Sequence, residues 1–395
     1  MFFLTVSRSL SPGLFRFRGS GIRVTVYTVG HLAGPTSQMR MLFGVCAWGL
    51  GHATRTLPII RRVVREGHVV TVVSSGRALS MLRQELGNSV TFDVLEDYIP
   101  PSTQNPSFLA FATILRFPVY VTAMFHEHDY VRRFIADRRV DVIFSDNRFG
   151  FYSRGIPSFF MGHQLRILNP LGNNILENGS EVYNKYFLDR YAGVIVPDFE
   201  ENGLAGRLAH DLTIFDERRF NYVGVLSEFE YRPRSEDVDV YVSVSGPEPQ
   251  RSSFERLVWS QLEGFDGRVV ISLGKPEAGR DARPNVVTYL SREEREDLLN
   301  RSRIVVARSG YSTLMDLFAL RKRGFLVPTP GQLEQEYLAK HHTEMGTFYC
   351  VREKELDLTS QLERALAFEA PVPEHSPERS VEEAVDVITQ TRRSA

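Results

Sequence analysis

"RIVVARSGYSTLMDLFALRKRGFLVPTPGQLEQEYLA", residues 303–339, decides the fold. "RIVVA" is a short β-branched run that reads as a buried strand. Ser309-Gly310 break it, and "YSTLMDLFALRKRG" reads as a helix. A second strand, "FLVP", runs into Pro-Thr-Pro-Gly, and a second helix opens at Gln332. Strands alternating with helices mean a parallel sheet covered on both faces.

Outward from this block the alternation continues. "VDVYVSVSG", "RVVISLG" and "NVVTYL" read as strands, with helices from about Ser252 and over "REEREDLLNRS". The tail "SPERSVEEAVDVITQTRRS" reads as a terminal helix with Ser376 as its N-cap. Upstream, "MLFGVC" (41–46) is a strand, and "TRTLPIIRRVVREG" a helix with Leu57, Ile60, Val63 and Val64 on its apolar face and Pro58 in its first turn. "HVVTVVSS", "SVTFDVL", "VDVIFSD", "IPSFFMG" and "AGVIVPD" are further strands. Helices are expected near 77–86, over 108–137 and near 180–190, and the polar stretch 200–236 as the connection between domains.

The chain of 395 residues is therefore read as α/β, with two facing, doubly wound Rossmann-like domains and a cleft between them. The expected division is 41–215, 216–372 and a C-terminal helix at 373–395. Residues 1–40 hold five arginines and no Asp or Glu. That composition resembles a transit peptide; the preferred alternative is an upstream start, with the protein beginning at Met39 or Met41.

Composition narrows the function. Apolar residues make up 43% and charged residues 24%, as in soluble globular proteins. A net charge of −1 gives no basic field for nucleic acid. Cys46 and Cys350 offer neither a disulfide framework nor zinc spacing, which fits a reducing cytoplasm. "FLAFATILRFPVYVTAMF" (108–125) is interrupted by Arg116 and Pro118 and is read as a buried or half-buried helix pair. The segment keeps a peripheral membrane contact and a lipid-linked acceptor open.

Parallel sheets bind ligands at the carboxyl ends of their strands. The loop "AWGLGHATRT" (47–56), the "SDN" after "VDVIF" and the "GHQ" after "IPSFFM" all belong to that edge. Gly49-Leu50-Gly51 begins a dinucleotide fingerprint, but Thr54 stands at its third glycine, and the second strand ends in "SSG" without a ribose-binding acid. A nicotinamide or flavin enzyme is therefore disfavoured. In the second domain the turn Ser309-Gly310 leads into a helix N-terminus, an anion site suited to a diphosphate, and Asp316 one turn on is placed for ribose hydroxyls. Gln332, Glu334 and Gln335 are suited to sugar hydroxyls. Each motif alone also reads as an ordinary helix cap or solvated first turn; together they describe one nucleotide-sugar.

"RSGYSTLMD…LVPTPGQLEQEYLA" resembles the C-terminal donor domain of nucleotide-sugar glycosyltransferases of the GT-B fold. It looks most like family 28, which includes the transferase that adds N-acetylglucosamine to the lipid carrier in peptidoglycan synthesis. "GLGH" (49–52) resembles that family's N-terminal glycine loop, and "VSVSGPEPQR" (242–251), with Gly246 and Arg251, the loop opening its second domain. The resemblance implies that Ser309, Gly310, Ser312 and Thr313 hold the donor diphosphate and that Gly49, Gly51 and Tyr311 belong to the donor site. It implies that Asp316 replaces a ribose-binding Glu, that Glu334 and Gln335 read the donor sugar, and that Leu290 lies by the nucleobase. His52 is expected as catalytic base with Asp146 behind it, and His163 and Gln164 at the acceptor.

The expected activity is metal-independent, inverting transfer of a hexosyl-type sugar, uridine-linked, to an acceptor hydroxyl, without cofactor, in the cytoplasm or peripheral at the membrane. "DVD" (237–239) imitates a metal-binding Asp-x-Asp, but its acids belong to a strand approach and are expected to face solvent. The alternatives are a nucleotide-sugar 2-epimerase of the same fold and a non-catalytic nucleotide-sugar-binding protein.

Overall fold

A computed structural model describes residues 38–98, 106–168, 174–216, 219–246, 248–275, 279 and 281–390. The readings placed on residues 1–37 lie outside the described residues. Residues 38–395 form one compact unit containing two parallel sheets.

The first sheet is built from β1 (Arg40–Val45), α1 (Leu50–Arg65), β2 (Val69–Ser74), α2 (Gly76–Leu86), β3 (Thr91–Val94), α3 (Pro106–Asp137), β4 (Val142–Asp146), β5 (Ser158–Met161), α4 (Asn174–Leu188), β6 (Gly193–Val196) and β7 (Phe220–Tyr222). Its strand order is β3-β2-β1-β4-β5-β6-β7. The topological switch lies between β1 and β4, where Val45 pairs with Asp146. Buried Val, Ile, Phe and Met side chains fill the central strands because helices cover both faces.

The second sheet comprises β8 (Val238–Ser243), α5 (Gln250–Leu262), β9 (Val269–Ser272), β10 (Val286–Val287), α6 (Arg292–Arg301), β11 (Ser302–Ala307), α7 (Tyr311–Ala319), β12 (Arg323–Leu326), α8 (Leu333–Glu344), β13 (Tyr349–Cys350) and α9 (Leu358–Leu366). Its order, β10-β9-β8-β11-β12-β13, puts the carboxyl ends of β8, β11 and β12 side by side. The last helix, α10 (Pro377–Gln390), packs on α1 and β6 of the first sheet, with Glu382 paired to Arg62 at 2.9 Å. Ser376 accepts the Arg379 N–H at 3.4 Å, as its cap role requires.

Four expectations are corrected. β7 joins the first sheet, so the crossing between sheets falls at 223–237 rather than at 215–216. α3 is one helix with Pro118 inside it, not a pair. α1 begins at Leu50, so Gly51 and His52 belong to its first turn and Pro58 to its interior, where proline gives up one backbone bond. "NVVTYL" contributes only the two residues of β10.

Candidate active site

The site grows from the switch point of the first sheet. β1 ends at Val45, and Gly49 is the N-cap of α1. β4 ends at Asp146, beside β1, and the chain turns away through Asn147 in the left-handed conformation (φ 57°), which asparagine tolerates better than most residues. His52 and Asp146 are thereby brought together: Nδ1 lies 2.9 Å from Oδ1. His52 keeps 16% of its side chain exposed and Asp146 none.

Sequence reasoning missed what else holds Asp146. Arg55 and Thr56 follow His52 by three and four positions, which puts all three on one face of α1. Arg55 Nε donates to Asp146 Oδ2 at 3.0 Å, its Nη2 donates to Oδ1, and the Thr56 hydroxyl donates to Oδ2 at 2.6 Å. Burial alone would raise this carboxyl, but Arg55 and His52 more than offset it and hold Asp146 well below the usual carboxylate range. The helical spacing of "HATRT" was the available signal.

His163, expected at the acceptor, lies behind Arg55. Its Nδ1 is 2.8 Å from Arg55 Nη1 and its Nε2 3.2 Å from Glu334 Oε1, while its ring stacks on Tyr311 at 4.1 Å. Burial lowers the His163 pKa, which Glu334 only partly opposes. Glu334 is itself held below its ordinary range: burial raises its carboxyl, and His163, His52 and Arg55 together more than offset that. Gln164 is half-buried beside it.

On the second sheet, Gly310 caps α7 without a side chain, and the first turn of α7 carries no acid. The first turn of α1 carries none either. The two helix starts meet: a Cβ on Gly51 would lie 2.8 Å from Ser312 Oγ. The two N-termini, each with free backbone N–H groups and a positive dipole end, thus lie side by side. Ser312 and Thr313 are half-buried there.

Two of the expected donor residues use their side-chain hydroxyls elsewhere. Ser309 is fully buried and donates its hydroxyl to the Gln335 carbonyl at 2.9 Å. Tyr311 is buried and donates to the Pro197 carbonyl at 2.7 Å. Both tie elements together, so any role of theirs at a diphosphate falls to the backbone N–H groups. Asp316 is half-buried with Oδ1 accepting from Ser227 at 2.7 Å. Burial pushes its carboxyl up to about 6, against Arg295 and the Ser227 bond. Gln335 Oε1 accepts from Thr329 N–H at 2.9 Å, and Gln332 is the exposed N-cap of α8. Gly246, at φ 110° with open space around it, follows β8 on the same edge. Arg251 is engaged by Glu248 at 2.9 Å, and Leu290 packs on the larger core.

Among the described residues no group of three or more His, Cys, Asp or Glu could hold a metal ion. The "DVD" acids are bound by arginines, Asp237 by Arg268 and Arg301, and Asp239 by Arg303. No described helix is long and apolar enough to cross a membrane.

Residues 39–148 match the family described as "Glycosyl transferase family 1", and residues 275–390 that described as "Glycosyltransferase family 28 C-terminal domain". The chain has the GT-B fold, and its C-terminal part is similar to the family 28 C-terminal domain. Solved structures share the GT-B fold across both sheets. Arabidopsis thaliana UGT89C1, complexed with UDP-L-rhamnose, is 15% identical with a TM-score of 0.55, over 90% of this chain and 95% of that one. MurG of Acinetobacter baumannii is 13% identical with a TM-score of 0.53, over 89% and 100%. A Listeria monocytogenes protein assigned as a UDP-N-acetylglucosamine 2-epimerase is 11% identical with a TM-score of 0.55, over 91% and 98%. No curated protein matches the GT-B chain in sequence.

Proposed function

We propose that this glycosyltransferase moves a sugar from a uridine-linked nucleotide-sugar to an acceptor hydroxyl, with inversion and without metal. One observation carries the reading: the first turn of α1, which bears His52, abuts the first turn of α7 at Gly51 and Ser312. A diphosphate at this junction would be held by backbone N–H groups from two helices, and its departing charge stabilised by two dipoles. The base would stand one residue away.

His52 then takes the proton. His52 Nδ1 lies 2.9 Å from both Asp146 Oδ1 and Arg55 Nη2; with the Nδ1 proton given to the carboxylate and Arg55 Nη2 turned to Asp146, Nε2 is the nitrogen that can accept the acceptor hydroxyl's proton as oxygen attacks the anomeric carbon. Asp146 fixes that tautomer and stabilises the imidazolium that forms. Attack from the side opposite the leaving diphosphate inverts the anomeric centre. Glu334 is suited to a sugar hydroxyl, since a quarter of its side chain is exposed and Oε2 makes no hydrogen bond among the described residues.

The fold alone does not choose between transfer and epimerisation, because an assigned epimerase shares it. Transfer is favoured by the site: Asp146 is committed to Arg55, Thr56 and His52, and Asp97 Oδ2 accepts from the Ala47 N–H at 2.8 Å, so Glu334 is the carboxylate with an unengaged oxygen that the His163 line brings to the site. The test is release of sugar from a panel of nucleotide-sugars, with and without candidate acceptors and with chelator present. The wild type should consume one donor, and His52→Ala should lose on the order of 100-fold or more in kcat. Equal turnover by both proteins would reject His52 as the base, and formation of an epimerised nucleotide-sugar would reject transfer.

A further inference from the structure

Arg55 and His163 are not spare polar residues in the cleft. Among the described residues Arg55 Nη1, at 2.8 Å, is the one polar partner of His163 Nδ1, and arginine has only donors, so Nδ1 accepts; at His52 Nδ1, by contrast, Asp146 Oδ1 lies as near as Arg55 Nη2, both 2.9 Å, and the carboxylate takes the proton. The His163 proton therefore sits on Nε2 and is donated to Glu334 Oε1 at 3.2 Å. Both ring nitrogens are committed, and the ring face is covered by Tyr311. Arg55 in turn donates to both oxygens of Asp146, and its side chain is 4% exposed. A continuous line results: His52, Asp146, Arg55, His163, Glu334. It begins at the proposed base on the first sheet and ends at the proposed sugar-reading carboxylate at the start of α8.

We propose that Arg55 and His163 are positioning residues that set both ends of this line, with His163 held as the neutral Nε2–H tautomer, so that one guanidinium orients the base's carboxylate and, through His163, the donor-reading carboxylate. His163 then contacts no acceptor through its nitrogens. The roles of the two ends rest on the glycosyl-transfer reading; the tautomer does not. Protonating Nδ1 would aim a proton at a buried guanidinium, so the neutral ring is the state that fits.

The experiment uses the full chain labelled with 15N-histidine, wild type beside Arg55→Lys and Glu334→Gln. In the wild type, His163 should show a protonated Nε2 and an unprotonated Nδ1 from about pH 6 to about pH 8, where an ordinary histidine changes charge. Lysine cannot reach Asp146 and His163 together from one point charge, so Arg55→Lys should mix the two tautomers. Glu334→Gln keeps an acceptor for Nε2–H and should preserve the tautomer, which keeps the test alive if the Arg55 variant fails to fold. In transfer assays Arg55→Lys should lose kcat on the order of 100-fold and also raise the donor KM, because both the base's carboxylate and, through His163, the donor-reading Glu334 are misplaced. A His163 found as Nδ1–H or as imidazolium near pH 7, or wild-type kcat in Arg55→Lys, overturns the proposal. If no nucleotide-sugar is turned over but the tautomer and its loss in Arg55→Lys are seen, the line stands and the transfer reading falls.

Discussion

Replacing Asp146 by Asn should damage stability and chemistry together, by amounts the site predicts. The side chain is completely buried and accepts from Arg55, Thr56 and His52. Asn is nearly the same size but carries no charge, and its NH₂ must face a donor already aimed at Oδ1 or Oδ2. The Arg55 guanidinium then stays buried without its counter-ion. Breaking a buried pair in this way costs about 3–5 kcal/mol. The pH dependence has a definite sign. Asp146 is held below its ordinary value of 3.8, so its stabilisation is complete above that value and fades as pH falls through the lower, folded-state value. Urea unfolding followed by tryptophan fluorescence should show a constant gap between wild type and Asp146→Asn from about pH 5 to about pH 8, narrowing below about pH 4. Activity at neutral pH should fall by about 10³–10⁴, as expected when a base loses the carboxylate that orients it. A gap below about 1 kcal/mol at neutral pH would refute the buried-pair argument, because a surface pair is worth no more than that.

Three further substitutions test separate parts of the structure. Gly51→Val should leave the fold intact but raise the Kd for nucleotide by about tenfold or more, since its Cβ would already lie 2.8 Å from Ser312 Oγ; binding calorimetry checks it. Gly150→Ala should cost about 3 kcal/mol or more, because the new Cβ would lie 2.0 Å from the Met124 backbone carbonyl on α3; a denaturation midpoint checks it. Asp316→Asn should gain stability relative to wild type above about pH 6. The raised Asp316 carboxyl favours folding below 3.8 and loses that contribution as pH rises through about 6, so melting temperatures compared at acid and alkaline pH should reverse or widen in the variant's favour.

Much of this was legible in the sequence because parallel sheets follow a simple grammar. Short apolar runs followed by loops marked the strands' carboxyl ends, and His52, in the loop after "MLFGVC", and Asp146, ending "VDVIFSD", were placed on one edge in that way. Their actual contact needed one more fact, that β1 and β4 are neighbours, which topology decides. Other features were hidden for physical reasons. β7 is three residues long and half-buried, too short to show a period. Pro118 inside α3 looked like a break but lies in a continuous helix, with the Thr122 hydroxyl donating to its carbonyl at 2.8 Å. Ser309 and Tyr311 fit a diphosphate loop by type, yet packing against α8 and Pro197 had already claimed their hydroxyls. Arg55 was passed over because the helix was read for its apolar face, whereas its polar face faces the site.

The most direct test of the account is calorimetric titration of the protein with UDP, dTDP, GDP, ADP and NAD in turn, in chelator. The two helix starts at Gly51 and Ser312 predict saturable binding of a nucleoside diphosphate, UDP before the others, weakened by Gly51→Val. Binding of NAD alone, or of none of the five, would contradict it.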